Sequence, residues 1–298
     1  MRRIRSKWFL LSLIALVFFY VLYIFIMDKR LDYLYTTGYI YLVITLIVFS
    51  GSLVGAPGLI LHGIFKNEKL AMPFYSLAIK LGSSNTNVLI AYGLVMLRSH
   101  HPEKALIVFQ QAKEVSRHFF YQKALSTNIA LCHWKLGDTT LAAKMYEDIY
   151  YYPDLQPITD FTLDNLEEGV EKNANFTAQD FITLGFLEYL NGHIEKALYF
   201  SHVGLKKSEK YGPAYDNLGQ IAFSQGDYNL AKEYFTQGLV YKPNMTDSIY
   251  YMALIAYNEG DYPRSKSILE SLNRAKINGL STITLENVES LEKKLSLV

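Results

Sequence analysis

The residue types that metal or nucleophilic chemistry requires occur at few places in this chain. Adjacent His100 and His101 could supply imidazole ligands to a metal ion, but neighbours on a helix point in different directions and this pair stands before Pro102. We therefore interpret them as solvated histidines of a turn. The single cysteine, Cys132, cannot form an internal disulfide, and a reactive thiol would need a polarising neighbour. We predict a buried apolar role for Cys132.

Carboxylates form a second candidate site, because three of them could bind a divalent cation: Glu167, Glu168 and Glu171. In the same segment Phe161, Leu166 and Val170 have helical spacing, which predicts a short amphipathic helix with an acidic, solvated face. The sequence also lacks the phosphate loop GxxxxGK[ST], the zinc motif HExxH, paired CxxC and the GxSxG elbow. We predict no enzyme activity, no catalytic residue, no metal site and no cofactor.

An internal repeat organises the elements around these residues. The triplet Gly-Asp-Tyr occurs at 226–228 and again at 260–262, and this interval of 34 residues is the period of a repeated helical hairpin. In the copy at 212–245, small residues stand where two helices must approach closely, and large apolar residues recur at spacings that fill the space between them. These positions include Leu218, Gly219, Tyr228, Ala231 and Phe235.

This copy resembles the tetratricopeptide repeat (TPR), whose pattern W-x2-L-G-x2-Y, then A-x3-F and P, it matches with Tyr215 for Trp and Ala222 for Tyr. Weaker copies follow the same pattern at 86–119, 123–156, 178–211 and 246–279. Upstream, small and aromatic residues indicate the second helix of a half-repeat that starts near Asn67: Ala71, Tyr75 and Ala78.

The resemblance implies an all-α fold in which a TPR α-solenoid of about five to six helix pairs occupies residues 67–298. An insertion at 157–177 separates two of the repeats. At the C-terminus, residues 280–298 carry apolar side chains at helical spacing, which predicts a capping helix over the last repeat.

Before the repeats, residues 1–65 predict a transmembrane hairpin of two helices. Residues 8–27 contain no Asp, Glu, Lys or Arg and are long enough to cross a hydrocarbon layer about 30 Å thick. A second span is predicted at 39–61, inside a charge-free run from 33 to 65. The first run ends in bulky residues, which disfavours a cleaved signal peptide.

The orientation of this hairpin follows from its basic residues. Four of them precede the first span: Arg2, Arg3, Arg5 and Lys7. In the connecting loop, Lys and Arg are balanced by Asp. The positive-inside rule therefore places the N-terminus in the cytoplasm, and two crossings return the repeats to the same side. We predict a multi-pass protein of the cell membrane with a cytoplasmic TPR domain.

Small residues mark one face of the second predicted span. Gly51 and Gly55 form a Gly-x3-Gly pair on which another transmembrane helix could pack closely. The first span is the partner we favour. Homodimerisation through this face is the alternative, and both stay open at this point.

The resemblance also implies a concave groove lined by positions 2, 5, 9, 12 and 13 of each repeat. In the last three repeats these positions include Asp216, Gln220 and seven apolar or aromatic residues: Ile182, Phe186, Tyr189, Phe223, Tyr250, Leu254 and Tyr257. TPR modules that grip a C-terminal carboxylate use Lys, Arg and Asn there, and that clamp is missing. A hydrophobic peptide or helix of a partner protein is the predicted ligand. The groove could equally be covered by the chain's own C-terminal helix.

The charge distribution disfavours nucleic acid as a partner. Residues 1–66 carry seven Lys and Arg against two Asp, net +5, so the overall net charge of +1 leaves −4 for the repeats. Phosphate binding requires clustered Lys and Arg, which a weakly acidic solenoid does not supply. The sequence predicts a membrane-embedded, non-enzymatic adaptor that binds partner proteins. The alternative is an envelope or secretion assembly factor with the TPR array on the outer face.

Overall fold

The computed structural model describes residues 38, 41, 51–116, 118–150, 161–172 and 176–298 of the 298-residue chain. The predicted first span, 8–27, lies outside these residues, and the second, 39–61, lies inside them only at 41 and 51–61. Among the helices that the structure describes, none combines the length and the apolar character that crossing a bilayer requires.

Every regular element in the described part of the chain is helical, which confirms the predicted all-α class. In chain order the helices are α1 (residues 51–63), α2 (Glu68–Lys80), α3 (Thr86–Arg98), α4 (Pro102–Val115), α5 (Phe119–Lys135), α6 (Thr139–Tyr150), α7 (Leu166–Lys172), α8 (Ala178–Leu190), α9 (Ile194–Lys207), α10 (Gly212–Ser224), α11 (Tyr228–Tyr241), α12 (Thr246–Asn258), α13 (Tyr262–Glu270) and α14 (Leu285–Leu295). Short 3-10 turns at Leu163–Asn165 and Arg274–Lys276 precede α7 and follow α13.

Short turns join these helices two by two, and the Gly-Asp-Tyr triplets form two of the turns. Gly226 and Gly260 have φ angles of +80° and +81°, a left-handed conformation that glycine adopts without a Cβ clash. The next residue, Asp227 or Asp261, caps the following helix by accepting a hydrogen bond from the main-chain N–H three residues on, at 3.0 and 3.1 Å. The repeated triplet is therefore the end of one helix followed by the start of another.

The described residues divide into two compact units. The first contains the described residues up to Val95 together with Ile107–Leu125, and the second contains Met96–Leu106 together with Ser126–Val298.

In the first unit, α1 and α2 pack closely, so the predicted half-repeat is a complete helix pair. A Cβ on Gly55 would lie 3.4 Å from the Ala78 Cβ, and one on Gly58 would lie 2.8 Å from the Tyr75 ring. The Tyr75 hydroxyl donates a hydrogen bond to the Gly58 carbonyl at 3.0 Å. The periodicity of α1 was not visible in the sequence because the helix belongs to the charge-free run 33–65, which shows no polar face.

In the second unit, Tyr150 anchors an aromatic core. Its buried ring meets Phe176, Phe181 and Phe200 edge-on, at centroid distances of 5.3, 5.8 and 5.3 Å. Such edge-to-face pairs favour a fixed arrangement of the helices that carry them.

The described part of the insertion at 157–177 contains the short amphipathic helix that the pattern predicts, α7. Phe161, Leu166 and Val170 pack against the aromatic core, and the Tyr199 hydroxyl of α9 donates to the Asn165 carbonyl at 3.2 Å. The insertion therefore adds a helix to the side of the repeat array.

The C-terminal end differs from the prediction. Helix α13 ends at Glu270, and the capping helix α14 begins at Leu285, five residues later than the predicted start at 280. The chain between them, residues 271–284, leaves the helical path because it buries apolar side chains that are not spaced as on a helix: Leu272, Ile277 and Ile283. Helix α14 then packs on α12 and α13 through Val288 and Leu291.

Candidate protein-binding surface

Of the predicted groove residues, Ile182 and Phe186 lie mainly between helices. Ile182 is buried in its own helix pair, where a Cβ on Gly204 would lie 2.6 Å from its Cδ1. The Phe186 ring meets Trp134 of α5 edge-on at 5.3 Å. Both side chains thus hold helices together, and little of either reaches solvent.

Tyr189 and Phe223 are half-buried and reach the surface in part. Tyr189 lies 6.1 Å from the Phe186 ring, centroid to centroid. Phe223 stacks on Tyr228 at 5.3 Å and meets Tyr251 edge-on at 5.1 Å. Both side chains are therefore partly exposed, and a partner could cover the exposed part.

The three groove residues of α12 contact their own chain. Tyr250 and Leu254 belong to a core cluster that includes Ile277 and Ile283 from the C-terminal segment. Tyr257 packs on Tyr262 of α13 at 5.5 Å. These three predicted groove residues therefore pack, at least in part, against the chain itself.

The Gly-x3-Gly face of the second predicted span also contacts this chain. A Cβ on Gly51 would lie 2.8 Å from the Ser83 main chain, and one on Gly55 would lie 2.6 Å from Val88. The structure thus places both glycines against α2, α3 and the turn between them. The alternative partners predicted for this face, the first span and a second copy of the chain, stay predictions.

A non-helical segment packs on the second unit, and we call residues 277–284 the strap. It contains a turn in which the Ser281 N–H donates to the Asn278 carbonyl at 2.9 Å. Its first main-chain contact is at Gly279, whose N–H donates to the Arg98 carbonyl at 2.8 Å. A Cβ at this position would lie 1.9 Å from the Leu97 carbonyl oxygen and 3.1 Å from the His100 main-chain nitrogen. Only glycine permits this approach of the strap to the end of α3.

The second contact of the strap is made by a lysine at the end of α5. The Lys135 ammonium group donates to the Ser281 carbonyl at 2.7 Å. The same ammonium group lies 3.9 Å from the centroid of the Trp134 ring, within the range of a cation–π interaction. The ring and the carbonyl together fix the direction of the lysine side chain.

The third contact joins Thr282 to two helices. Its main-chain N–H donates to the Asp247 carboxylate of α12 at 3.0 Å, and its hydroxyl oxygen accepts from the Gln220 side-chain amide of α10 at 3.2 Å. The same amide group of Gln220 donates to Asp216 at 2.8 Å, and the Ser248 hydroxyl donates to the other oxygen of Asp216. A polar network therefore extends from the strap into the helix array.

Burial controls the protonation of the charged groups in this network. It lowers the pKa of the Lys135 ammonium group to about 8, against the opposing attraction of the Asp247 carboxylate. It raises the pKa of Asp216 to about 7, with repulsion from Asp247 as the next cause. Burial also raises the pKa of Asp247, although hydrogen bonds from Thr282 and Ile283 of the strap favour its ionised form. The strap thus stabilises a charge that the helices alone would disfavour.

Asp216 and Gln220 are among the groove residues predicted above, whereas Lys135 and Asp247 are not. The repeat register nevertheless identifies both residues as groove positions. Lys135 is position 13 of the repeat at 123–156, and Asp247 is position 2 of the repeat at 246–279. Both positions belong to the set that the TPR resemblance assigns to the groove.

The groups that converge on this surface are hydrogen-bonding groups. Within the described ranges, no three His, Cys, Asp or Glu side chains are grouped as metal ligands. Cys132 is buried, and burial raises the pKa of its thiol to about 12, so the nucleophilic thiolate form is disfavoured. The groups that do converge, an ammonium, a carboxylate and an amide, are suited to binding a polypeptide main chain.

Comparison with known proteins agrees with the repeat register. The family model of the tetratricopeptide repeat matches residues 212–245, the same bounds as the predicted best copy. No curated protein matches the sequence significantly.

Solved structures show the same fold at low identity. A tetratricopeptide repeat protein from Parabacteroides merdae superposes with a TM-score of 0.52 at 15% identity, covering 83% of this chain and 86% of its own. The APC/C hetero-tetramer Cut9–Hcn1 gives 0.55 at 14% identity, covering 82% of this chain and 42% of that one. YrrB, a TPR protein with an unusual peptide-binding site, gives 0.42 at 17% identity, covering 67% and 90%.

At such identities the likeness shows the fold alone, and the first two superpositions agree on it. Residues 212–245 therefore match the tetratricopeptide repeat, and the chain has the all-α solenoid fold of the TPR structures on which it superposes.

Proposed function

We propose that this protein is a membrane-tethered adaptor that binds partner proteins through the surface on which the strap lies. One observation carries the proposal: this surface binds a polypeptide segment of the chain itself, because Lys135 donates to a main-chain carbonyl of the strap and Asp247 accepts from a main-chain N–H. A TPR scaffold with such a surface fits a binding role better than a catalytic one.

Support for the membrane tether comes from the outer face of α2. Leu70, Phe74 and Leu77 are 57%, 36% and 48% exposed and follow one another at helical spacing. This stripe continues the charge-free run 33–65, with Lys66 and Lys69 beside it. A contiguous apolar surface is unfavourable in water, and contact with the bilayer beside the chain's own spans would cover it.

We expect the full-length protein to stay in the membrane fraction after alkaline washing, because the charge-free N-terminal segments hold it there. A tag at Val298 should resist protease added to intact cells and be digested once the membrane is opened. Digestion in intact cells would instead place the repeats on the outer face, as an envelope or secretion assembly factor requires.

Binding through this surface predicts that the half-buried tyrosines contribute to partner affinity. Replacing Tyr189 and Tyr257 together by alanine should reduce partner recovery about tenfold or more, since aromatic side chains dominate interface energies. Recovery is measured by proximity labelling from the C-terminus of the full-length protein, with the set of labelled proteins quantified for each variant.

The matched control for this double variant is Val240→Ala. Val240 is exposed on α11, the second helix of its pair and away from the predicted groove positions. It should leave the labelled set unchanged. Equal labelling by wild type and the double variant would reject the surface as the binding site.

A further inference from the structure

We infer that the strap is a built-in competitor for the partner site, and that the partner presents an uncharged segment that forms the same turn, with glycine three residues before a hydroxyl residue, as in Gly-x-Ser-Thr. The inference rests on the proposed function, since it specifies the ligand of the same surface.

The main chain of the strap is recognised as a bound peptide would be. The N–H of Gly279, the carbonyl of Ser281 and the N–H of Thr282 are each held by a group outside the strap, at 2.7 to 3.0 Å. The three groups come from the end of α3, from α5 and from α12. Such main-chain contacts depend little on side-chain identity, and they fix the direction of the bound segment.

Side chains of the strap add sequence preference to this main-chain recognition. At Gly279, the 1.9 Å approach of a Cβ to the Leu97 carbonyl excludes every larger residue unless the chain moves. At Thr282, the hydroxyl oxygen accepts from Gln220, which a valine could not do. At Ile283, the side chain is buried against α12 and α14.

The charges of the surface favour an uncharged ligand. Asp216 and Asp247 already repel each other, so a carboxylate in the ligand beside them would add a third like charge. A lysine or arginine at position 281 would bring a cation beside the ammonium group that holds the Ser281 carbonyl. The strap satisfies both conditions, because residues 277–284 contain no charged side chain.

The strap is also arranged so that it can be released without unfolding a helix. It connects the 3-10 turn at Arg274–Lys276 to α14, and none of its residues belongs to a helix. A short tether gives its segment an effective concentration on the order of millimolar, so a free ligand of equal affinity competes poorly until the strap is weakened.

The test uses the purified full-length protein in detergent and a fluorescent peptide with the strap sequence Ile-Asn-Gly-Leu-Ser-Thr-Ile-Thr. Gly279→Ala should increase peptide affinity about tenfold or more over wild type, because the added Cβ displaces the strap and opens the site. The control is Gly63→Ala, whose Cβ meets no heavy atom within 4 Å, and it should bind the peptide as wild type does.

A second peptide tests the glycine requirement directly. The same sequence with alanine in place of glycine should bind the Gly279→Ala protein about tenfold more weakly than the glycine peptide. Equal affinity of the two peptides, or equal affinity of the three proteins for the glycine peptide, would overturn the inference.

If the Gly279→Ala variant does not fold, amide hydrogen exchange on the wild-type protein tests strap displacement independently. Excess peptide should accelerate exchange at the Gly279 and Thr282 amides, because it displaces the strap from Arg98 and Asp247. Unchanged exchange at saturating peptide would contradict displacement.

The outcomes also separate this inference from the proposed function. If the peptides fail but the tyrosine variant loses its labelled partners, the surface binds proteins and the strap does not specify them. If the peptide displaces the strap but labelling is unaffected by the tyrosine variant, the proposed function fails at this surface.

Discussion

Replacing Phe235 by alanine is expected to lower the free energy of unfolding by about 3–5 kcal/mol, the largest effect we expect from a single side chain in the repeat at 212–245. Phe235 is fully buried on α11, and its ring lies nearly parallel to that of Tyr251, at a centroid distance of 5.6 Å and an angle of 9°. The ring also fills the space left by Gly219, where an added Cβ would lie 2.5 Å from Phe235 Cε1. Alanine would leave a cavity among three helices, and thermal or denaturant unfolding of the full-length protein measures the loss.

Two further variants locate the cause of this loss. Val240→Ala on the same helix removes methyl groups from an exposed side chain and should change stability by less than about 0.5 kcal/mol. Gly219→Ala should destabilise the protein when Phe235 is present and less when Phe235 is leucine, because the shorter side chain withdraws from the added Cβ. A loss below about 1 kcal/mol for Phe235→Ala would show that the repeats do not pack around this ring.

The repeat could be predicted from the sequence because its contacts are local. Gly219 and Phe235 are 16 residues apart and recur at fixed positions, so the small residue and the ring that fills its space appear as a pattern. The same holds for Gly226 and Asp227, whose roles as helix end and helix cap depend only on neighbouring main-chain groups. For these reasons the sequence placed the best repeat at the bounds that the family model matches.

The strap could not be predicted because its contacts are distant in sequence and have no period. Gly279 is required by the main chain at Leu97 and Arg98, some 180 residues earlier. Ser281 is held by Lys135, 146 positions away. A single glycine in a loop carries no sign of such an approach, and the pattern of apolar residues from 280 onward suggested only that the capping helix begins earlier than it does.

The positions of the candidate site could be predicted from the sequence, but the contacts of its side chains could not. Its positions follow from the repeat register, but the resemblance could not say which side chains point to solvent and which pack on neighbouring helices. Ile182 fills the space beside Gly204, whereas Lys135 lies at an equally predictable position and binds the strap. That difference depends on the angle at which the two helices of each pair cross, and the repeat register does not specify this angle.

Asp216→Asn is expected to stabilise the protein at neutral pH and to change how stability depends on pH. Burial, with repulsion from Asp247 next, raises the pKa of Asp216 from 3.8 to about 7 in the folded protein. Between these values the folded state holds a proton that the unfolded state has lost, so the stability contributed by this group falls as the pH rises. Above about pH 7 the stability contributed by Asp216 falls no further.

Asparagine has no proton to lose and keeps both hydrogen bonds, since its oxygen can accept from Gln220 and its amide can donate to the Ser248 hydroxyl. The variant should match wild type near pH 4 and exceed it by about 2–4 kcal/mol above pH 7. Denaturant unfolding between pH 4 and 7.5 measures this difference, and the range ends below the pKa of Lys135, about 8, so that the lysine does not contribute.

Ser248→Ala distinguishes a titration of Asp216 from a general effect of pH on the fold. The Ser248 hydroxyl donates to the Asp216 carboxylate and favours its ionised form, so its removal should raise the pKa of Asp216 further. The decline in stability should then continue to a higher pH than in wild type, and Asp216→Asn should abolish that extension. If wild type and Asp216→Asn instead differ by a constant amount from pH 4 to 7.5, Asp216 is already ionised in the folded protein. The polar network beneath the strap would then hold two charged carboxylates, and the lysine and the strap would have to offset their repulsion.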